Sequence, residues 1–498
     1  MTMAEYLYSK LKAYADSEYY GFHMPGHKRN QTLTGAELPY EIDITEISGF
    51  DDLHHADGIL KAAQQRAAEL YHAQETHYLI NGSTVGILSA VMGCTRPGGK
   101  ILMARNCHKS VYNAVFLNGL TPVYVYPEIW NGMNLNGEIQ ADEVRRLLEE
   151  HEDIQAVIVT SPTYDGVVSD VKALAHLAHC KGIPLIVDEA HGAHFGFHPY
   201  FPENGNCLGA DLVIHSLHKT LPALTQTALL HINGNIVDRK NVRRYLHMLQ
   251  SSSPSYVLMA GIDECIRLLK TEGQLLFDAY VERLAKARKR MEDLECLHLF
   301  EAAHYDRSKI VISCENALAE HNGEIKKYTG KDLYIELKEN YFLEMEMSAP
   351  EYIIALTSLG DTEEGMRRLT DALRNIDRKL AKNGKRAGNY ANCVQTYKKG
   401  QNQQVLIPSE AVRISRERAG ERRGCQKMRE TIASAGWREC AGKIALEYAY
   451  VYPPGIPLAV PGERISEETA RELAEYEALG FEIQGTNEQG RIEVLING

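Results

Sequence analysis

Two neighbouring stretches, Ile183-Pro-Leu-Ile-Val-Asp188 and Asp211-Leu-Val-Ile-His-Ser-Leu-His-Lys219, decide how this chain folds. Each is an apolar run of strand length closed by a charged residue, an acid in the first and a lysine in the second. Outward from them, runs of the same kind stand at Tyr78 to Ile80, Ile101 to Met103, Val123 to Tyr126, Ala156 to Thr160 and Ala228 to His231, separated by helical patterns. Short strands that are apolar on both faces and alternate with helices predict an α/β protein with a largely parallel, doubly covered sheet. Ligands in such a sheet gather at the carboxyl ends of the strands.

Asp188 and Lys219 therefore fall where a ligand is expected, and their chemistry suggests pyridoxal 5'-phosphate (PLP). A carboxylate at a buried strand end is costly without a cationic partner. A protonated pyridine nitrogen is such a partner, and a lysine amine forms the Schiff base with the cofactor aldehyde.

Other segments reach the same sheet edge. Asn81-Gly-Ser-Thr-Val-Gly86 lies between a strand and a helix, where main-chain N–H groups and the hydroxyls of Ser83 and Thr84 can meet a phosphate or simply cap the helix. His108 follows the run Lys100 to Ala104; its ring can lie against an aromatic cofactor or sit in a surface loop. Thr160-Ser-Pro-Thr-Tyr-Asp-Gly166 has the composition of a turn, which leaves Thr163 and Tyr164 as secondary candidates for lining a pocket. His191, in Asp188-Glu-Ala-His191, can reach the cofactor's phenolic oxygen or the substrate, or serve as a capping or core histidine. Ser216 and His218 stand close enough to Lys219 to donate to a phosphate. The pairs His23/His27, His191/His194 and His215/His218 have spacings that suit a metal, but none brings a full ligand set, and no metal is expected.

The whole chain sets the bounds. Its 498 residues exceed one ordinary core. Hydrophobic content of 44% and charged content of 24% suit a soluble enzyme, and no apolar stretch is long enough to span a bilayer. The start, Met1-Thr-Met-Ala-Glu-Tyr6, lacks the features of a signal peptide, and the ten cysteines show no CxxC pair, so a cytoplasmic protein with reduced thiols is expected. A net charge of −12 disfavours nucleic acid as a partner. Helical patterning from Val257 to Asp293 and an α+β stretch, with strands at Lys309 to Ser313 and Tyr352 to Thr357 and a helix from Thr362 to Ala372, follow the first sheet. The expected organisation is an N-terminal arm over 1–75, a PLP-binding large domain over 76–300, a small α+β domain over 301–380, a linker over 381–405 and a C-terminal α+β domain over 406–498.

Taken together, His23-Met-Pro-Gly-His-Lys28, Asn81-Gly-Ser-Thr84, Asp188-Glu-Ala-His191, Ser216-Leu-His-Lys219, Ser252-Ser-Pro-Ser-Tyr256, Tyr452-Pro-Pro-Gly-Ile-Pro457 and Pro461-Gly-Glu463 resemble the ornithine/lysine/arginine decarboxylase family, PLP enzymes of the aspartate aminotransferase fold. The resemblance implies Lys219 as the Schiff-base lysine, Asp188 on the pyridine nitrogen and His108 stacked on the ring. It further implies Ser83, Thr84, Ser216 and His218 around the phosphate, and proton return by Lys219 or His218. A basic L-amino acid, arginine by preference, would be decarboxylated for polyamine synthesis by a homodimer or a dimer of dimers, with Ser251 to Tyr256 near a neighbour's cofactor. The chain looks like the shorter form, without an N-terminal wing domain. Glu46, Asp51, Asp52 and Glu463 are candidates for meeting the substrate's distal cation. An aminotransferase, a non-catalytic PLP-fold regulator and a metal hydrolase are the competing expectations.

Overall fold

The computed structural model describes residues 6–19, 23–25, 27–30, 36–130, 132–315, 317–321, 323–382, 394–396, 400–421, 432–453 and 455–496. Gly26 and Pro454 in two of the quoted motifs, Met1 to Glu5, and positions 383–393 and 397–399 of the expected linker lie outside these residues.

Each of the seven apolar runs forms a strand of one sheet: Glu75–Leu79 (β1), Lys100–Ala104 (β2), Thr121–Val125 (β3), Ile154–Thr160 (β4), Leu185–Asp188 (β5), Leu212–Ser216 (β6) and Ala228–Ile232 (β7). Their spatial order is β1-β7-β6-β5-β4-β2-β3. β2 to β6 pair in parallel, and β7 runs antiparallel to both of its neighbours. All five residues of β6 and all four of β5 are buried, as expected where helices cover both faces. The helix Gly82–Cys94 crosses the sheet closely because it carries glycine at two contacts. A Cβ on Gly86 would stand 2.7 Å from Leu79 Cδ1, and one on Gly93 would stand 2.8 Å from Val242 Cα in the helix Arg239–Leu249.

The N-terminal segment wraps this unit. Helix Leu7–Ala15 docks on the long helix Tyr256–Lys289 through the fully buried Asp263, which accepts from Leu7 N–H (2.8 Å) and from Arg66 (2.8 Å). The long helix stops before Asp293, the end expected from its pattern. Asp377 there accepts the main-chain N–H groups of Glu295, Cys296 and Leu297 at 2.8–3.0 Å and draws the chain into a turn. A second antiparallel sheet follows, built from His298–Leu299 (β8), Lys309–Ser313 (β9), Met347–Ser348 (β10) and Tyr352–Leu356 (β11) in the order β8-β9-β11-β10. The helix Glu363–Ala381 outruns the expected Ala372 because its buried stripe continues through Leu373, Ile376 and Leu380.

The last sheet comprises Gln403–Gln404 (β12), Ile432–Gly436 (β13), Ile444–Ala445 (β14), Glu463–Arg464 (β15) and Arg491–Leu495 (β16), ordered β12-β15-β14-β16-β13. It is tied to the first sheet by a buried ion pair. Arg105, just past β2, contacts Glu463 Oε2 (3.0 Å) and donates to the carbonyls of Pro457 (2.6 Å) and Leu458 (3.2 Å). Among the described residues no helix is long and apolar enough to cross a membrane.

Candidate active site

Parallel strands that end at one edge bring distant residues together there. A chamber of about 390 Å³ opens at this edge, lined by Ser83 after β1, Asn106 and His108 after β2, and Thr160, Thr163, Tyr164 and Asp165 at the end of β4. Asp188, Ala190 and His191 after β5 and His218 and Lys219 after β6 complete that side. Glu346 and Leu356 come from the second sheet region, and Tyr452 and Ile456 from the C-terminal part.

At the centre, Lys219 Nζ lies 2.9 Å from His191 Nε2. Burial lowers the Lys219 pKa, with Asp188 pulling the other way and Lys309 adding to the depression. Burial also takes His191 well below its ordinary value, reinforced by Lys219. The imidazole is thus neutral and accepts from the amine. Its Nδ1 is buried without a partner among the described residues, and its ring meets Tyr164 edge to face at 4.7 Å. Beneath it the fully buried Lys309 donates to the His191 carbonyl (3.2 Å) and pairs with Asp306 (2.6 Å), which also holds His194 (3.0 Å). Burial alone would raise Asp306, yet His194 and Lys309 hold it well below the usual carboxylate range.

Asp188 closes β5 and is only 3% exposed. Burial raises its pKa against the pull of Lys219, and the one hydrogen bond to its carboxylate among the described residues is from Ala190 N–H at 3.2 Å. His108 caps the helix Lys109–Leu117, its Nδ1 accepting from Ser110 N–H (3.2 Å) and contacting Ser110 Oγ (2.8 Å). Burial first, then Lys219 and Lys109, take its pKa down to about 4, so a neutral ring faces the chamber. The C-terminal turn covers it: Lys109 N–H donates to the Gly455 carbonyl (3.2 Å), and Tyr452 lines the chamber beside His108.

The other expected residues divide. His218 lines the chamber and donates from Nδ1 to the Thr227 carbonyl at 3.0 Å, which leaves Nε2 free to turn inward. Ser83 lines it at the first turn of the helix Gly82–Cys94, whereas Thr84, one residue on, is exposed and does not. Ser216 is fully buried and does not line the chamber, its Oγ without a partner among the described residues. Thr163 Oγ1 accepts from Val167 N–H (3.0 Å), which is turn chemistry. Ser251 N–H donates to Asn81 Oδ1 (3.0 Å), so the Ser251 to Tyr256 segment lies beside the helix start rather than in the chamber.

None of the four acids proposed for a distal cation borders the chamber. Glu46 is on the surface; Asp51 accepts from Gly58 N–H (2.8 Å) and Leu60 N–H (3.0 Å) at a helix start; Asp52 accepts from His54 N–H (2.8 Å); and Glu463 is bound to Arg105. Asp165 and Glu346 border it instead. Nothing in the sequence around Glu346 marks it, because it arrives through the pairing of β10 with β11. Asp165 stood in a segment that turn geometry already explained.

The residues present fit PLP. A buried carboxylate short of donors, an amine with a depressed pKa, a neutral ring on a helix cap and a helix N-terminus flanked by Ser83 converge on one space, while Ser216 Oγ and His191 Nδ1 lack partners among the described residues.

Comparison with known proteins agrees. A family model described as "Orn/Lys/Arg decarboxylase, major domain" matches residues 6–324, and one described as "Orn/Lys/Arg decarboxylase, C-terminal domain" matches residues 394–484. The arginine decarboxylase of Bacillus subtilis (strain 168) is 32% identical over 493 residues, covering 96% of this chain and 95% of that protein. The arginine decarboxylase of Bacillus anthracis is 32% identical over 480 residues, covering 93% and 91%. The chain superposes on the constitutive lysine decarboxylase of E. coli with a TM-score of 0.78 at 19% identity, over 98% of this chain and 81% of that one, a likeness of fold.

Proposed function

This chain belongs to the Orn/Lys/Arg decarboxylase family and is a PLP-dependent decarboxylase of a basic amino acid; from that premise we propose that its substrate is L-arginine, released as agmatine and CO2 for polyamine synthesis in the cytoplasm. This substrate is supported by the likeness to arginine decarboxylases that are 32% identical over nearly the whole chain. Lysine and ornithine are the alternatives within the family.

When bound, the cofactor supplies an electrophilic aldehyde and a ring that takes up the electron pair left as the carboxylate departs. In our reading Lys219 would carry it covalently, Asp188 would keep its ring nitrogen protonated, His108 would border the ring, and Ser83, Thr84, Ser216 and His218 would hold the phosphate. His191 Nε2, 2.9 Å from Lys219 Nζ, accepts a hydrogen bond from the amine and orients it. A depressed pKa makes the Lys219 ammonium a ready donor, so Lys219 returns the proton to the substrate carbon that lost CO2. Closure of the C-terminal turn over His108 keeps water from that carbon.

The observation that carries this assignment is the convergence of Lys219, His191 and Asp188 at the ends of β5 and β6. Borohydride treatment of the PLP-loaded protein is expected to fix the label on Lys219, and Lys219→Ala is expected to lose the label and at least roughly 10²–10⁴-fold in turnover. A label on another lysine, or full turnover in Lys219→Ala, would sink the assignment. Agmatine from arginine, with CO2 and no keto acid, separates this reading from an aminotransferase. We further propose a homodimer or dimer of dimers, in which the exposed Ser251 to Ser253 approach a neighbour's chamber; light scattering of the purified protein reads the assembly.

A further inference from the structure

The chamber does not end at Asp165. An adjoining cleft of about 180 Å³ shares Asn106, Asn136, Asp165 and Ile456 with it and runs between the second sheet and the C-terminal helix Glu467–Ala478 toward Glu472. Its polar lining is rich in acceptors. Asp165 is 5% exposed, and the Tyr352 hydroxyl, at 2.7 Å, is the one side-chain donor it has among the described residues. Asn106, also 5% exposed, presents an Oδ1 that is buried and has no partner among the described residues. Glu472 Oε1 takes one N–H, from Asn134 at 3.1 Å. The cation at the cleft wall, Arg105, is occupied by Glu463, Tyr112 and the Pro457 carbonyl.

Buried acceptors without donors are costly, and a buried carboxylate without a cation more so. A flat guanidinium brings one positive charge and five N–H donors in a fixed fork. We propose that Asp165, with Asn106 beside it, is the seat of the substrate's distal guanidinium, and that the cleft leading to Glu472 gives the planar group its room. This inference rests on the decarboxylase reading. Of the two other acids at the chamber, Asp188 is taken up by the cofactor in the decarboxylase reading, and Glu346 is exposed and already bound by the Tyr164 hydroxyl, so water screens it; Glu346 acts on Lys219 rather than on the far end of the substrate.

The test compares arginine with citrulline, its neutral isostere, in the wild type and in Asp165→Asn, Asn106→Leu, Glu346→Gln and Glu472→Gln. Asp165→Asn is expected to reduce kcat/KM for arginine about 10- to 100-fold, mainly through KM, and to leave citrulline unchanged. Asn106→Leu is expected to lower the arginine-to-citrulline ratio several-fold, which reads the site even if Asp165→Asn folds poorly. Unchanged ratios in both variants, or a ratio lost in Glu346→Gln instead, would overturn the proposal. Methylguanidinium serves as the free probe. Competition with arginine that weakens in Asp165→Asn identifies the substrate's own end as the occupant, and non-competitive behaviour would assign the cleft to a separate cation and overturn the proposal. Calorimetric binding of methylguanidinium to the PLP-loaded protein reads the site without turnover. If no basic amino acid is decarboxylated by the wild type, the reaction assignment fails, while this binding still supports or refutes the cation site.

Discussion

Asp165 also links function to stability at the scale of one residue. Burial, eased by the Tyr352 hydroxyl, pushes its pKa up to about 6. The folded protein therefore holds a proton that the unfolded chain has released between about pH 4 and 6, so ionisation of this group costs stability fully above pH 6 and not at all below about 4. Asp165→Asn removes that cost while keeping the tyrosine contact. Without substrate at pH 7.5 the variant is expected to be more stable by roughly 2–3 kcal/mol, and the difference should close as the pH falls from 6 to 4; thermal melts across that range check it. A variant that binds substrate worse and melts higher is the pattern of a site held strained for its ligand. Neither Asp165 nor Asn106 was legible as a site residue, since a turn explains the first and a loop amide the second. Asp188 and Lys219 were legible because a charge closing an apolar strand has few structural excuses.

The helices are held to the sheet by absences as much as by side chains. At Gly93 an added Cβ would meet Val242 Cα and N at 2.8 and 3.1 Å, main-chain atoms that cannot turn aside. Gly93→Ala therefore has to part the helix Gly82–Cys94 from Arg239–Leu249. Overpacking of about 1–3 kcal/mol is set against the roughly 1 kcal/mol that alanine gains over glycine in a helix, for a net loss of up to about 2 kcal/mol. Urea unfolding measures this, and a shift of Ser83 with its helix should weaken PLP binding alongside. The strands were legible because doubly buried runs of valine, isoleucine and leucine have few alternatives, whereas helix ends were not. Asp377 stops the long helix from the far side of the fold, and no local pattern announces that.

For the whole molecule the decisive join is Arg105 with Glu463, a buried pair spanning the first and last sheets. Arg105→Met leaves Glu463 buried and uncompensated, with an expected cost of about 3–5 kcal/mol, and adding Glu463→Gln should recover part of it. Limited proteolysis and thermal unfolding report whether the C-terminal sheet loosens first, and turnover should fall with it because Tyr452 and Ile456 leave the chamber wall. Contacts of this separation carry no local trace in sequence, so Glu463 reads there as a candidate for the substrate's distal cation, whereas its carboxylate is bound to Arg105. The same long-range wall sets the order of events during synthesis. A ribosome delivers Lys219 well before Ile456, an interval on the order of tens of seconds at ordinary elongation speeds. For that interval the nascent polypeptide displays a reactive amine in a half-built, open hollow, and only the arrival of its final segments turns that exposed nucleophile into a guarded one.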